Sequence, residues 1–197
     1  MQLNMNGSIF NTNYNLELLK NTYLKDTTEV KIKFNKLNTL VKNKLYKKND
    51  NYEGKTYINF SGSEINVDYD INKNLIKLIS TKSKLNNKNI EFSGDVNISP
   101  FYFNLEVNLE DVNVKKLFEN LPKINNFLDE KILLNKKING KIVFNINSLK
   151  KFKFFDKAKL VLVIRNGRLL LNGSELISNK IGKVVFQESI LESIEDK

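Results

Sequence analysis

The chain has 197 residues, a net charge of +10, 41% hydrophobic residues and no Cys, His or Trp. The missing Cys and His exclude a disulfide frame, thiolate chemistry, the commonest zinc ligand and the commonest general base. The length suffices for one ordinary domain with a real core. The positive charge is almost all Lys, with only Arg165 and Arg168 as Arg, and Asn is about as abundant as Lys. That usage follows A/T-rich codons, so the charge reads as solvated surface that serves solubility rather than as a nucleic-acid footprint.

In chain order, residues 2–10 read as a strand with Leu3, Met5 and Ile9 on one parity, and the segment has no run long enough to cross a bilayer. Residues 15–20 form a weaker second strand. Val30, Ile32 and Phe34 alternate with Lys31, Lys33 and Asn35 to make a third. Leu37, Leu40, Val41 and Leu45 have helical spacing and predict a short amphipathic helix over 36–47. The composition of 47–54, KKNDNYEG, predicts a loop. Short strands follow at 56–60, 64–69, 75–81 and 89–92, with Asp70, Asn72 and Asn74 supplying turn chemistry between two of them.

The organising stretch is 94–109, GDVNISPFYFNLEVNL. Phe101, Phe103, Leu105, Val107 and Leu109 fall on one side, and Tyr102, Asn104, Glu106, Asn108 and Glu110 on the other. This is the signature of a long one-sided strand, about 26 Å from Phe101 to Leu109, in an antiparallel sheet with water on one face. Val114, Leu117, Phe118 and Leu121 then sit on one helix face, with Asp111 or Asn113 as cap and Pro122 as stop. Ile124, Phe127 and Leu128 suggest a further turn or two. The strand pattern resumes at Ile138, and Ile142, Phe144 and Ile146 share a parity. Residues 159–165, KLVLVIR, and 168–171 are apolar on both faces and should be the most buried strands. Residues 183–187 read as the last strand. Both ends read as interior to a larger β structure, so the chain is expected to be a segment of a longer protein.

The chemical motifs fail one by one. Gly54-Lys55-Thr56 copies the tail of a phosphate-binding loop, but Asn49 stands where the first Gly belongs and a strand follows. Asp68, Asp70 and Asn72 imitate the start of a calcium loop, yet Lys73 and Ile79 occupy the required Gly and Glu positions. The pairs Glu110–Asp111 and Asp129–Glu130 suit caps and solubility better than acid/base work. No Ser or Thr has a His to activate it. No enzymatic activity, metal or cofactor is expected. Phe60-Ser61-Gly62 recurs as Phe92-Ser93-Gly94, a faint echo of repeated strand–turn–strand units.

Three stretches, PFYFNLEVNLEDVNVKKLFENL, ILLNKKINGKIVFNINSL and AKLVLVIRNGRLLLNGSELISNKIGKVVFQ, resemble the AsmA-like family over about residues 54–190. The resemblance rests on the PF strand, the short helix after it, the N-x-x-I-N-G-x-I strand and the N-G-x-L-x-L-x-G-S hairpin. It implies a mostly β fold, an elongated curved antiparallel sheet forming a U-shaped apolar groove, with a helical insertion at about 111–134. Residues 1–53 would be N-terminal strands and a loop, and 54–197 the groove segment. The implied function is carriage of phospholipid along the groove between inner and outer membranes, in support of outer-membrane biogenesis. The implied location is the periplasm, with the inner-membrane anchor and remaining groove supplied by the rest of a parent chain. The lining candidates are Phe101, Phe103, Leu105, Val107, Leu109, Ile142, Phe144, Ile146, Leu160, Leu162 and Ile164, and the partner is phospholipid acyl chains. The competing reading is a non-transporting β-scaffold of the envelope. A nucleic-acid platform built on Phe152, Phe154 and Phe155 among lysines is the third, disfavoured by the scarcity of Arg, so no nucleic acid is expected.

Overall fold

A computed structural model of the chain describes residues 1–9, 12–21, 26–35, 37–49, 51–60, 62–85, 87–113 and 136–192. Every regular element among them is a strand. The chain divides into two units, Met1–Ser93 and Gly94–Lys197.

The first unit is a meander. β1 (Gln2–Ile9), β2 (Thr12–Asn21), β3 (Thr27–Phe34), β4 (Thr39–Lys48), β5 (Asn51–Phe60), β6 (Ser63–Asn72), β7 (Leu75–Leu85) and the residues of β8 (Lys88–Asn97) up to Ser93 lie in sequence order. Each pair from β1 to β7 is antiparallel. The expected helix over 36–47 is instead β4. Helical spacing of four leucine and valine positions lost to two full ladders, one on β3 and one on β5, which take up the backbone hydrogen bonds on both edges. Within β4, Thr39, Val41, Asn43 and Leu45 share one face while Lys42 and Lys44 take the other, so the period-2 pattern was present beneath the helical one. The expected loop at 47–54 shrinks to a tight turn around Asn49, whose φ of 52° suits the left-handed region that Asn tolerates.

Register aligns one apolar face across these strands. Leu3 and Met5 face Leu18 and Leu16, which face Val30 and Ile32; Ile32 faces Val41, Val41 faces Ile58, and Ile58 faces Ile65. From Leu16 to Ile65 these side chains are half-buried rather than buried. The other face is laced by cross-strand ion pairs, Lys31–Glu17 at 3.1 Å, Lys44–Glu29 at 2.8 Å and Lys55–Asp68 at 3.3 Å. Exposed pairs of this kind fix register more than they add stability. Two features hold the sheet where patterning does not. Gly54 lies directly opposite Tyr69, and a Cβ there would come within 2.2 Å of the tyrosine ring; the ring lies on the glycine, and its hydroxyl accepts a hydrogen bond from Asn43 at 2.6 Å. At the β6–β7 irregularity, β7 carries one extra residue between the Glu64↔Lys84 and Asp68↔Ile79 pairs. There the Ser83 hydroxyl, 1% exposed, accepts the Asn66 backbone N–H at 2.7 Å and bonds Ser80 at 2.6 Å.

The second unit contains the Gly94 end of β8, β9 (Tyr102–Leu109), β10 (Val112–Asn113), β11 (Gly140–Ile146), β12 (Leu149–Lys150), β13 (Lys157–Arg165), β14 (Arg168–Leu170), β15 (Glu175–Ser178), β16 (Gly182–Val185) and β17 (Ile190–Glu192). Its strand order is β8-β9-β11-β13-β14-β17, with β15 on β13 and β16 on β15, while β10 and β12 form a separate pair. The pairing is mostly antiparallel, as expected, with two parallel pairs. β9 pairs β11 in parallel, and so does β10 with β12. The reason is the long connection between β9 and β11, residues 110–139, since parallel neighbours need a crossover of about a dozen residues or more. The helical insertion expected at about 111–134 begins differently, as β10 at Val112–Asn113, and from residue 114 to 134 it lies outside the described residues. Phe101 falls in the turn before β9 rather than in the strand. Among the described residues the last strand is β17, beyond the one expected at 183–187.

β13 carries three buried residues but also the exposed Lys157, Lys159 and Arg165, while β11 has no exposed residue. The buried three, Ala158, Val161 and Ile164, are 5%, 9% and 3% exposed. β14, expected among the most buried strands, has no buried residue, because Arg168 faces solvent and Leu169 and Leu170 are only half-covered. Val161 sits between the stretches of β13 paired to β14 and to β15, where no strand completes its ladder. The buried Ser174 hydroxyl does so instead, accepting the Val161 N–H at 2.8 Å.

Candidate functional site

The residues that sequence reasoning singled out converge on three neighbouring strands. β9 presents Phe103, Leu105, Val107 and Leu109 on one parity, and Tyr102, Asn104, Glu106 and Asn108 on the other are all exposed. Pairing with β11 sets Ile142 beside Leu105, Phe144 beside Val107 and Ile146 beside Leu109. Pairing of β11 with β13 sets Leu162 beside Ile142, Leu160 beside Phe144 and Ala158 beside Ile146, while Ile164 lies beside Gly140. Ten of the eleven candidates therefore share one face in a three-strand grid. Phe101 stands outside the grid but touches it, with its ring edge-on to Phe103 at 6.2 Å.

The face is not uniform. At one end, Val112 of β10 packs with Ile146 and Ala158, and Leu109, Phe144, Leu149, Leu160 and Leu176 close around them. That end is a small dry core. Toward the other end Phe103, Leu105, Ile142 and Leu162 are half-buried, while Ile164 and Gly140 there are buried. Two close approaches keep this end low in profile. The Phe103 ring lies on Gly140, where a Cβ would meet ring atoms at 2.5 Å, and Gly94 lies against Leu105, whose Cδ2 would be 2.9 Å from a Cβ. On the polar side, Asn145 donates to Glu106 at 2.6 Å and to Asn108 at 3.1 Å, so the two faces of the same strands are chemically distinct.

The first unit offers a different surface. A cleft of about 740 Å³ lies on its charged face, lined by Glu17, Lys31, Lys42, Lys44, Lys55 and Asp68 among others. Val30, Asn43, Thr56 and Val67, of the other parity, also border it. Glu29 holds the Lys44 ammonium above its ordinary range through a direct hydrogen bond and its charge, and Glu53 does the same for Lys48. Among the described residues no group of His, Cys, Asp and Glu could hold a metal ion, and no helix is long and apolar enough to cross a membrane.

Ser83 and Ser174 were not anticipated as structural residues, because a lone Ser near Gly and Asn reads as turn chemistry. The aromatic-on-glycine contacts were missed as well, since they depend on register between distant strands. No family model, no curated protein and no solved structure matches this chain.

Proposed function

We propose that the chain is part of an envelope lipid carrier, and that the apolar face of β9, β11 and β13 holds phospholipid acyl chains in an open groove of the AsmA-like kind. The observation that carries the reading is the in-register grid of Phe103, Leu105, Ile142 and Leu162, which stay half-buried although the Val112–Ile146–Ala158 core lies toward one end and the buried Ile164 beside them. Each methylene kept from water is worth about 0.8 kcal/mol, so a strip of this kind lowers the cost of moving a two-tailed lipid through an aqueous space. Contacts of branched and aromatic side chains are weak and repeated, which lets cargo slide. In this reading the protein works in the periplasm between inner and outer membranes and acts by binding, without a catalytic group.

A second reading, a structural scaffold without cargo, draws on the Val112–Ile146–Ala158 core. The two are separated by replacing Leu105 with Asp, with Asn104→Asp as the control on the exposed face. On an open lipid face the new carboxylate hydrates, folding survives, and binding of a fluorescent phospholipid is lost. In a dry core the unpaired charge costs several kcal/mol and the protein unfolds. A folded Leu105→Asp variant that binds the lipid normally removes β9 from the site.

A further inference from the structure

A second surface of the same unit has the chemistry of a membrane contact, and it does not depend on the acyl-chain face. Lys157 of β13 pairs with Ile177 of β15, so the loop before β13, residues 151–156, and the turn after β15, residues 179–181, lie at the same end of these strands. They are tied together directly. The Asp156 N–H donates to the Ile177 carbonyl at 2.8 Å, and the Asn179 N–H donates to the Asp156 carboxylate at 2.8 Å. Within the loop Phe152 and Phe155 stack at 5.6 Å and 30°, which braces it. Phe154 between them is left 64% exposed, and Ile181 on the neighbouring turn is 66% exposed. Apart from Met1, these are the two most exposed large apolar side chains among the described residues.

The charge around them is one-sided. Lys151, Lys153, Lys157 and Lys180 are all exposed on or beside the two turns. Of the nearby carboxylates, Asp111 is paired with Lys150, while Asp156 accepts the Asn179 N–H and keeps its charge, which the four lysines outweigh. Two apolar tips within a ring of lysines suit an interface where the tips leave water and the ammonium groups meet anions. A nucleic acid would use the same lysines and could stack on the exposed Phe154 ring, but Arg, the favoured residue for such contacts, is confined to Arg165 and Arg168, neither of them on these turns.

We propose that these two turns dock the protein onto an anionic lipid bilayer, with Phe154 and Ile181 entering the boundary between headgroups and acyl chains and the four lysines contacting the headgroups. The chain contains no Trp, so Phe154→Trp in the full chain gives a single fluorescent reporter at the tip. On vesicles of equimolar phosphatidylcholine and phosphatidylglycerol its emission should shift to the blue and the protein should sediment with the vesicles, while pure phosphatidylcholine should give neither result. Removing two lysines, Lys151→Ala with Lys153→Ala, should weaken vesicle binding about thirtyfold, from roughly fivefold per lysine, with an unchanged circular dichroism spectrum. Docking is read on Phe154→Trp with the acyl-chain face unaltered, and the acyl-chain reading on Leu105→Asp, so failure of the one and failure of the other are separate results. An unshifted Trp spectrum on the anionic vesicles overturns the proposal, as does equal vesicle binding by the lysine-depleted variant. A blue shift produced by a single-stranded oligonucleotide and not by vesicles overturns it in favour of nucleic acid.

Discussion

Gly140→Ala tests whether the open end of the β9–β11–β13 face is built as described. Gly140 pairs with Phe103 in the parallel β9–β11 ladder, and an added Cβ would lie 2.5 Å from three atoms of the phenylalanine ring, Cγ included. Because Cγ is near the root of the side chain, the ring cannot evade by a small terminal rotation and must leave its rotamer. Overpacking of this kind costs about 1–3 kcal/mol. Against it stands the usual gain from replacing Gly within a strand, about 0.5–1 kcal/mol. The net expectation is a loss of about 1–2 kcal/mol, or a drop of roughly 5 °C in melting temperature for a unit of this size. Phe103→Leu alone should cost little more than its lost packing. The double variant should recover most of the alanine penalty, because the shorter side chain no longer competes for the space above residue 140. A thermal melt of the four proteins closes the cycle, with the coupling read as the departure from additivity. A Gly140→Ala protein that melts with the wild type, or a double variant that is merely the sum of the singles, refutes the contact.

Ser83→Ala leaves the Asn66 N–H without its buried acceptor and should cost about 1–3 kcal/mol in a urea titration, with hydrogen exchange at Asn66 accelerated well above that of its strand neighbours. Glu29→Gln should return the Lys44 titration, followed by NMR, to the ordinary lysine range. Because a raised lysine pKa favours the folded state below the unfolded value and loses that advantage as pH rises through the folded one, the Lys44–Glu29 and Lys48–Glu53 pairs act fully at neutral pH and fade only in the alkaline range. Both pairs are solvent-exposed, so melting at neutral pH should be unchanged in Glu29→Gln.

The parts of the fold that were legible are those fixed by period alone. β9 alternates so regularly that its two faces could be assigned residue by residue, and Ile142, Phe144 and Ile146 of β11 followed in the same way, whereas β13 is apolar on both parities and its facing follows only from register with β11. What period could not reveal was partnership. Leu37, Leu40, Val41 and Leu45 satisfy a helical template, and only the ladders offered by β3 and β5 decide for a strand. The parallel pairing of β9 with β11 depends on where a long connection returns, which no local pattern encodes. Ser83 and Ser174 look like turn residues until a gap in a neighbouring ladder gives their hydroxyls a backbone group to satisfy. Gly54 and Gly140 look like strand-weakening residues until register lays an aromatic ring on each.

Burial varies along the β9–β11–β13 face, and the proposed reading assigns folding and binding to different side chains of it. Its Val112–Ile146–Ala158 end is dry, and the dispersion and burial gained there do not depend on any ligand. Phe103, Leu105, Ile142 and Leu162 are only half-buried, although Ile164 near them is buried; they contribute less to stability, and in the proposed reading that free energy is available to an incoming apolar partner. A substitution in the dry end, such as Ile146→Ala, should therefore cost several kcal/mol of stability, as large-to-small changes in cores do. One at the open end, such as Ile142→Ala, should cost less and act mainly on lipid affinity. Parallel urea titrations and fluorescent-phospholipid binding on the two variants measure the split. Equal stability losses at both positions, with affinity untouched at either, would mean that the whole face is core and that the acyl chains must be sought elsewhere.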